Sequence, residues 1–337
     1  MPLKVWLFLL ASAVALHAQG RAGKGFAQPQ GAREVAIAAI PGVIAAGVHW
    51  TLAWQGTNNA DGIIGTADGG LLFAQEQPSQ ISKLDANDRA SVFLENTGGA
   101  GAIAIQAQSD AGQGRILVVQ RTCTDPGGHP ADCHQPTAVA VLWPERKVLA
   151  DNIAGQSLGR LNDLMVSQAG GVYFNGDGTF YLDPRGHVSS FGEGLRTNGI
   201  LLSRDEKTLY VTNGQSLVAF DLQPGGSPAN QRDFARLEAG GTGDGMAIDA
   251  AGRLYVSTQP GVQVIGPDGK YLGLIPTPRA AISVAFAGPG KKTLYVVGSG
   301  ALGPDGQEFT TPPGVRNNAK SIYKIPMLAE GFAGRGK

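Results

Sequence analysis

Short apolar runs recur along this chain, each broken by a turn and followed by a second run rich in β-branched and aromatic residues. Five stretches share the shape: "ADGIIGTADGGLLFAQ" from Ala60, "LNDLMVSQAGGVYFNG" from Leu161, "TNGILLSRDEKTLYVTN" from Thr197, "GDGMAIDAAGRLYVST" from Gly243 and "AISVAFAGPGKKTLYVV" from Ala281. A weaker copy, "GAIAIQAQSDAGQGRILVVQ", starts at Gly101. Each reads as a strand, a turn holding Gly or Asp, and a second strand. A third strand follows every copy: "SQISKLD", "TAVAVLW", "GTFYLD", "SLVAFDL", "GVQVIG" and "SIYKIP". A fourth follows several, among them "ERKVLAD", "HVSSFG" and "YLGLIPT". After the N-terminal run, no stretch carries a long 3.6-residue apolar period, which sets α/β folds aside.

Aligning the second residue of each copy gives Asp61, Ala102, Asn162, Asn198, Asp244 and Ile282, spaced by 41, 60, 36, 46 and 38 residues. Most of these steps are the length of one propeller blade. Six units of four antiparallel strands predict an all-β fold, a six-bladed β-propeller over residues 42–327. The strand-like "GVIAAGVHWTLAWQG" from Gly42 is placed to complete the last blade and join the two ends of the chain. Residues 20–41 read as a linker, and 328–337 as a C-terminal tail expected to fray.

Composition supports the turns. Fifty of the 337 residues are glycine, about twice the usual share, with no Gly-X-Y period. The formal net charge is zero, so nothing favours nucleic acid, whose phosphates must be met by Lys and Arg. Lys4 followed by the apolar "VWLFLLASAVAL", Val5 to Leu16, is too short to span a bilayer and reads as a signal peptide over 1–19. The expectation is an exported, periplasmic or secreted protein with no membrane association after cleavage. The two cysteines, Cys123 and Cys133, lie in "RTCTDPGGHPADCHQP", and an oxidising compartment predicts one disulfide between them. Metal binding with the nearby His129 and His134 is the competing reading, at a spacing that fits no usual zinc pattern.

The innermost strand of each blade starts at one face of the central channel, so residues at equivalent starts converge near the axis. Here they are Asp61, Asn162, Asn198 and Asp244. All four offer oxygen, the donor of a hard cation such as Ca²⁺. Asp-Gly and Asn-Gly are also common turn pairs, and any one of them alone reads as a turn. Four at the same point of different blades point to a site. The insertions Thr122 to Pro136 and Gly298 to Ala319 should rim that face and shape a pocket.

Three motifs fail on context. "GQSLG" at Gly155 matches a serine-nucleophile pattern, but a strand follows Ser157 where a helix is needed. "NGDG" at Asn175 lacks the acid that would complete an EF-hand loop. "GGTGDG" at Gly240 opens a strand, not a phosphate-cradling helix.

Taken together, "GRLNDLMVSQAGGVYF", "TNGILLSRDEKTLYVTN", "GDGMAIDAAGRLYVS" and "GVQVIGPDGKYLGLIPTP" resemble the senescence marker protein/gluconolactonase/luciferin-regenerating enzyme family, from about Ala60 to Pro326. The resemblance implies one divalent metal in the channel, Ca²⁺ first and Zn²⁺, Mn²⁺ or Mg²⁺ after it. It implies Asn198 and Asp244 as metal ligands, Asp244 also as general base, and Arg160 and Asn162 as substrate contacts. The family's first ligand is a Glu, and Asp61 stands there, followed by "IIG" where the family has Pro-Val-Trp. The implied activity is hydrolysis of a small lactone or ester. An esterase or phosphotriesterase on the same scaffold, and a propeller that only binds a sugar or a protein, are the alternatives.

Overall fold

The apolar runs become strands at the places where the repeat puts them. The computed structural model describes residues 28–106, 114–124 and 134–334. A lone strand, β1 (Thr51–Gly56), precedes the repeats. Blade 1 holds β2 (Ile63–Gly65), β3 (Leu71–Gln75), β4 (Gln80–Leu84) and β5 (Ala90–Glu95). Blade 2 holds β6 (Ala100–Gln106), β7 (Arg115–Gln120), β8 (Ala138–Trp143) and β9 (Lys147–Ala150), and a small hairpin, β10 (Asn152–Ile153) and β11 (Gln156–Ser157), follows it. Blade 3 holds β12 (Leu164–Val166), β13 (Val172–Asn175), β14 (Thr179–Leu182) and β15 (Val188–Ser190). Blade 4 holds β16 (Ile200–Leu202), β17 (Thr208–Asn213), β18 (Ser216–Leu222) and β19 (Pro228–Arg236). Blade 5 holds β20 (Met246–Ile248), β21 (Leu254–Thr258), β22 (Gly261–Ile265) and β23 (Tyr271–Pro276). Blade 6 holds β24 (Ala281–Ala287), β25 (Thr293–Ser299) and β26 (Lys320–Pro326), with β1 as its outermost strand.

The six-bladed propeller is therefore the fold, and the ring closes through its sixth sheet. β1 pairs antiparallel with β26, from Thr51 opposite Lys324 to Gly56 opposite Lys320. The sequence of each strand follows its distance from the axis. The inner strands "LMV", "ILL" and "MAI" are buried at every position. They are covered on both faces, so they read as continuous apolar runs and do not alternate. The outer strand β19, "PANQRDFAR", is polar and exposed along most of its length. The core lies between blades. One apolar cluster joins blades 3, 4 and 5, and others join blade 2 to 3, 1 to 2, 5 to 6 and 6 to 1.

Both chain ends depart from expectation within the described residues. Residues 28–41 carry no strand, yet they are not a free linker. Ile37 and Ile40 are buried against Val262 and Ile275 of blade 5. Arg33 donates to the carbonyls of Pro260 at 2.7 Å and Thr277 at 3.0 Å. The apolar "VAIAAI" supplies surface that a solvated linker would leave wet. The tail is held as far as Phe332: Ala329 is buried, and the amide of Phe332 donates to the Ile248 carbonyl at 3.1 Å. The expected signal peptide at 1–19 lies outside the described residues, as do His129 and Cys133. Cys123 sits in a short 3-10 turn, Thr122–Thr124, and its pairing with Cys133 stays an expectation.

Candidate active site

The four residues picked out by the repeat do meet at the channel. Asp61, Asn162, Asn198 and Asp244 each stand two positions before the first residue of β2, β12, β16 and β20. In each case the residue's own amide is bonded to the second strand of its blade, three times through a carbonyl and once through a hydroxyl. The amide of Asp61 donates to the Ala74 carbonyl, that of Asn162 to Asn175 and that of Asp244 to Ser257, each on the second strand of its own blade. The amide of Asn198 donates to Thr212 Oγ1 at 3.0 Å. Blades 2 and 6 present Ala102 and Ile282 instead, each beside a register shift in its first strand.

Gly62, Gly199 and Gly245, which follow three of these residues, do not make turns. They let neighbouring blades touch at the axis. A Cβ on Gly199 would lie 2.1 Å from the Asp244 carbonyl oxygen, and one on Gly62 would lie 2.5 Å from Ala102 Cα. The amides of Gly62 and Gly245 donate across to the carbonyls of Gly101 and Ile282 of the next blade.

Two hollows share these walls. The deeper is about 10 Å³, room for roughly one water or ion, and is lined by Asp61, Asn162, Asp163, Asn198, Asp244 and Ser283. Above it opens a cavity of about 220 Å³. Its walls add Glu76, Arg121, Arg160, Arg316, Asn318 and Lys320, and among the described lining residues only Ile282 is apolar.

Charges in the site are tightly paired. Arg160 grips Glu76 with two bonds, Nη1 to Oε1 at 3.0 Å and Nη2 to Oε2 at 3.1 Å. Arg121 reaches the same carboxylate, Nη2 to Oε2 at 2.9 Å, and also pairs with Asp61. Its Nη1 donates to Asn162 Oδ1 at 3.3 Å. Asn162 Nδ2 donates in turn to Asn198 Oδ1 at 2.7 Å. Burial, then the carboxylates of Asp61 and Asp163, push the Asp244 carboxyl well above its usual range. Asp163 lies behind, accepting from the amides of Leu164 and Ile200.

Repeat position alone missed Glu76, Arg121 and Asp163. A signal existed for the first two. The second strand of a blade runs back toward the face where the first begins, so its end also meets the channel. Glu76 follows β3 and Arg121 follows β7, each a charge just past a buried apolar strand. The blade 6 insertion does rim the cavity, through Arg316 and Asn318. Of the blade 2 insertion, Thr124 Oγ1 accepts from Arg160 at 3.3 Å. Ser157 lies exposed on the β10–β11 hairpin and does not line the channel.

The donors fit a hard cation in part. Asp61, Asn198 and Asp244 bring oxygen to a hollow of ionic size. A crowded carboxyl such as Asp244 is a group whose charge a cation relieves. Against this, Asp61 is already paired with Arg121. Among the described residues no three or more His, Cys, Asp or Glu gather as a metal cluster.

Comparison with known proteins identifies the family and the fold. Residues 60–300 match the model of the SMP-30/Gluconolactonase/LRE-like region. A gluconolactonase of Zymomonas mobilis is 29% identical over 293 residues, covering 76% of this chain and 78% of its own. The solved structure of a gluconolactonase from Xanthomonas campestris superposes with a TM-score of 0.66 at 20% identity, over 90% of this chain and 98% of that one. A calcium-binding regucalcin from Agrobacterium tumefaciens does so with a TM-score of 0.62 at 16% identity, over 85% and 96%. The fold is shared with both structures, and the family match spans well over half of the sequence: the chain belongs to the SMP-30/gluconolactonase/LRE-like family.

Proposed function

We propose that this protein is a hydrolase that opens a small, polyhydroxylated lactone in the propeller channel, with one divalent cation, Ca²⁺ first. The observation that carries the reading is the convergence of Asp61, Asn162, Asn198 and Asp244 below a nearly all-polar cavity. Such walls suit a ligand whose surface is mostly hydroxyl. The lactone-hydrolysing relative supplies the bond type. Export from the cytoplasm, drawn from the N-terminal run, is part of the same proposal.

The residues divide the work. Arg160 is anchored by both oxygens of Glu76 and offers its other N–H groups to substrate oxygens. Asn162 orients beside it. Asp244 takes a proton from water as the water oxygen attacks the lactone carbonyl carbon. A carboxylate beside a cation is a weak base, so this step works best if the same cation also acidifies the attacking water. The ring C–O bond then breaks, the leaving oxygen takes the proton, and a hydroxy acid is released. A divalent cation held at Asn198 and Asp244 supplies, when bound, positive charge against the oxygen that turns anionic.

Acid release from glucono-1,5-lactone, followed by pH-stat, tests the reading. Chelator should abolish turnover and added Ca²⁺ should restore it. Asp244→Asn, which keeps size and removes the base, should lower kcat about 100-fold or more. Unchanged turnover in that variant would sink the assignment. Binding of the lactone without turnover by the unmodified protein would favour a purely binding role.

A further inference from the structure

Arg121 is the least expected group in the channel. Its side chain is 2% exposed, and two carboxylates, Asp61 and Glu76, meet it. The fold makes room for it. A Cβ on Gly101 would lie 2.2 Å from both Cζ and Nε of Arg121. Gly101 lies in blade 2 and donates nothing to this contact except the missing side chain. Its carbonyl meanwhile accepts from Gly62, the residue after Asp61, at 2.9 Å. One small region therefore places the guanidinium and the Asp61 backbone together.

Asp61 thus faces two demands. On one side is a tethered cation that cannot dissociate. On the other is the ion-sized hollow shared with Asn198 and Asp244. A guanidinium is always charged and matches a carboxylate closely. Paired with Arg121, the Asp61 carboxylate has less charge to offer a second cation in that hollow, enough to weaken binding roughly tenfold.

We propose that Arg121 is the resident cation of this channel. Asp61 serves as its counter-ion and not as a ligand of an exchangeable metal. A divalent ion is held through Asn198 and Asp244, at an affinity that the guanidinium keeps low. Arg121 is in this sense a positioning residue. The inference uses the ion-site part of the proposed function and is independent of lactone hydrolysis, because its test reads binding.

Ca²⁺ is titrated calorimetrically into chelator-treated full-length protein and four variants. Arg121→Gln should bind Ca²⁺ about tenfold more tightly or better. Arg121→Lys, which keeps the charge, should stay within about threefold of the unmodified protein. Asp61→Asn should change affinity less than about threefold alone, yet cost about tenfold in the Arg121→Gln background, a coupling that a merely structural arginine would not produce. The proposal is overturned if Arg121→Gln binds no more tightly, if Asp61→Asn alone removes Ca²⁺ binding, or if no folded variant binds Ca²⁺. Arg121→Gln leaves Glu76 its bidentate bond to Arg160, and thermal unfolding checks its fold. Should it fail to fold, the Asp61→Asn protein, in which Arg121 keeps Glu76, decides alone: unchanged affinity sustains the proposal, and a loss of tenfold or absent binding overturns it. A protein that hydrolyses no lactone still answers in these titrations.

Discussion

Glu76 holds two guanidiniums at once, and its own side chain is 2% exposed. Replacing it with Gln leaves Arg121 with Asp61 as its one carboxylate partner and removes the ion pair that anchors Arg160. Breaking a buried ion pair from one side costs about 3 kcal/mol, because the partner charge stays behind. Glu76→Gln should therefore lower unfolding free energy by about that amount in urea, and should raise KM for lactone more than it lowers kcat. A fall in kcat with KM unchanged would place Glu76 in the chemistry instead. At Gly199 the limit is steric: a methyl group would meet the Asp244 carbonyl, so Gly199→Ala should cost about 2 kcal/mol. These two residues differ in how far the sequence announces them. The glycine is visible in "TNGILL", yet its reason is not, since a turn pair and an inter-blade contact look alike until the next blade is in place. Asp61, Asn162, Asn198 and Asp244 could be found because one register repeats them. Arg121 could not be placed beside Asp61, because no local pattern says that Gly101 leaves a gap for it.

The N-terminal segment and the blade 6 insertion act as one element, although they are distant in sequence. Gln28 bonds to Thr311 and Asn317, and the amide of Ala32 donates to Glu308. Glu308 grips Arg279, on the link between blades 5 and 6, with Oε1 accepting from Nη2 at 2.7 Å. Arg279 also donates to the Gln30 carbonyl at 3.1 Å. This insertion brings Arg316 and Asn318 to the cavity, so what pins it also shapes the pocket. Its position at the cavity rim was readable from strand connectivity, whereas its attachment to a segment read as a linker was not. The Arg279 guanidinium lowers the Glu308 carboxyl from its ordinary value of 4.5. A lowered folded pKa contributes stability above the unfolded pKa and loses it as pH falls through the folded value. The stability gap between the unmodified protein and Glu308→Gln should thus be full near about pH 7, and should shrink below about pH 4.5. Urea midpoints measured across that range check it, and a gap that widens in acid would reverse the assignment.

A propeller has no centre to collapse upon, so the molecule is as strong as its weakest seam, and the seam where the ends meet closes last along the sequence. Here β1, from near the start of the described chain, completes the sheet of blade 6 beside β26. Without β1 the edge of β26 would be open to water and to other chains. The hydrogen-bonded strand is one half of the closure, and Trp54 is the other. Its ring lies 4.8 Å from that of Phe73 in blade 1, tying blade 6 to the blade beside it. Gly56 makes the space, since a Cβ there would stand 2.7 Å from the indole. Leu52 of the same strand is 43% exposed and provides the comparison. Trp54→Ala should cost about 3 kcal/mol, by the loss of a large aromatic group from a packed contact. For a chain of this size that is a fall in Tm of roughly 4 to 5 °C. Leu52→Ala removes exposed apolar surface and should change stability by about 0.5 kcal/mol or less. Equal effects of the two, measured by thermal and urea unfolding, would mean that β1 acts only through its backbone. A large loss confined to Trp54→Ala would place the closure in the packing between blades 6 and 1, where the strand ladder alone does not reach.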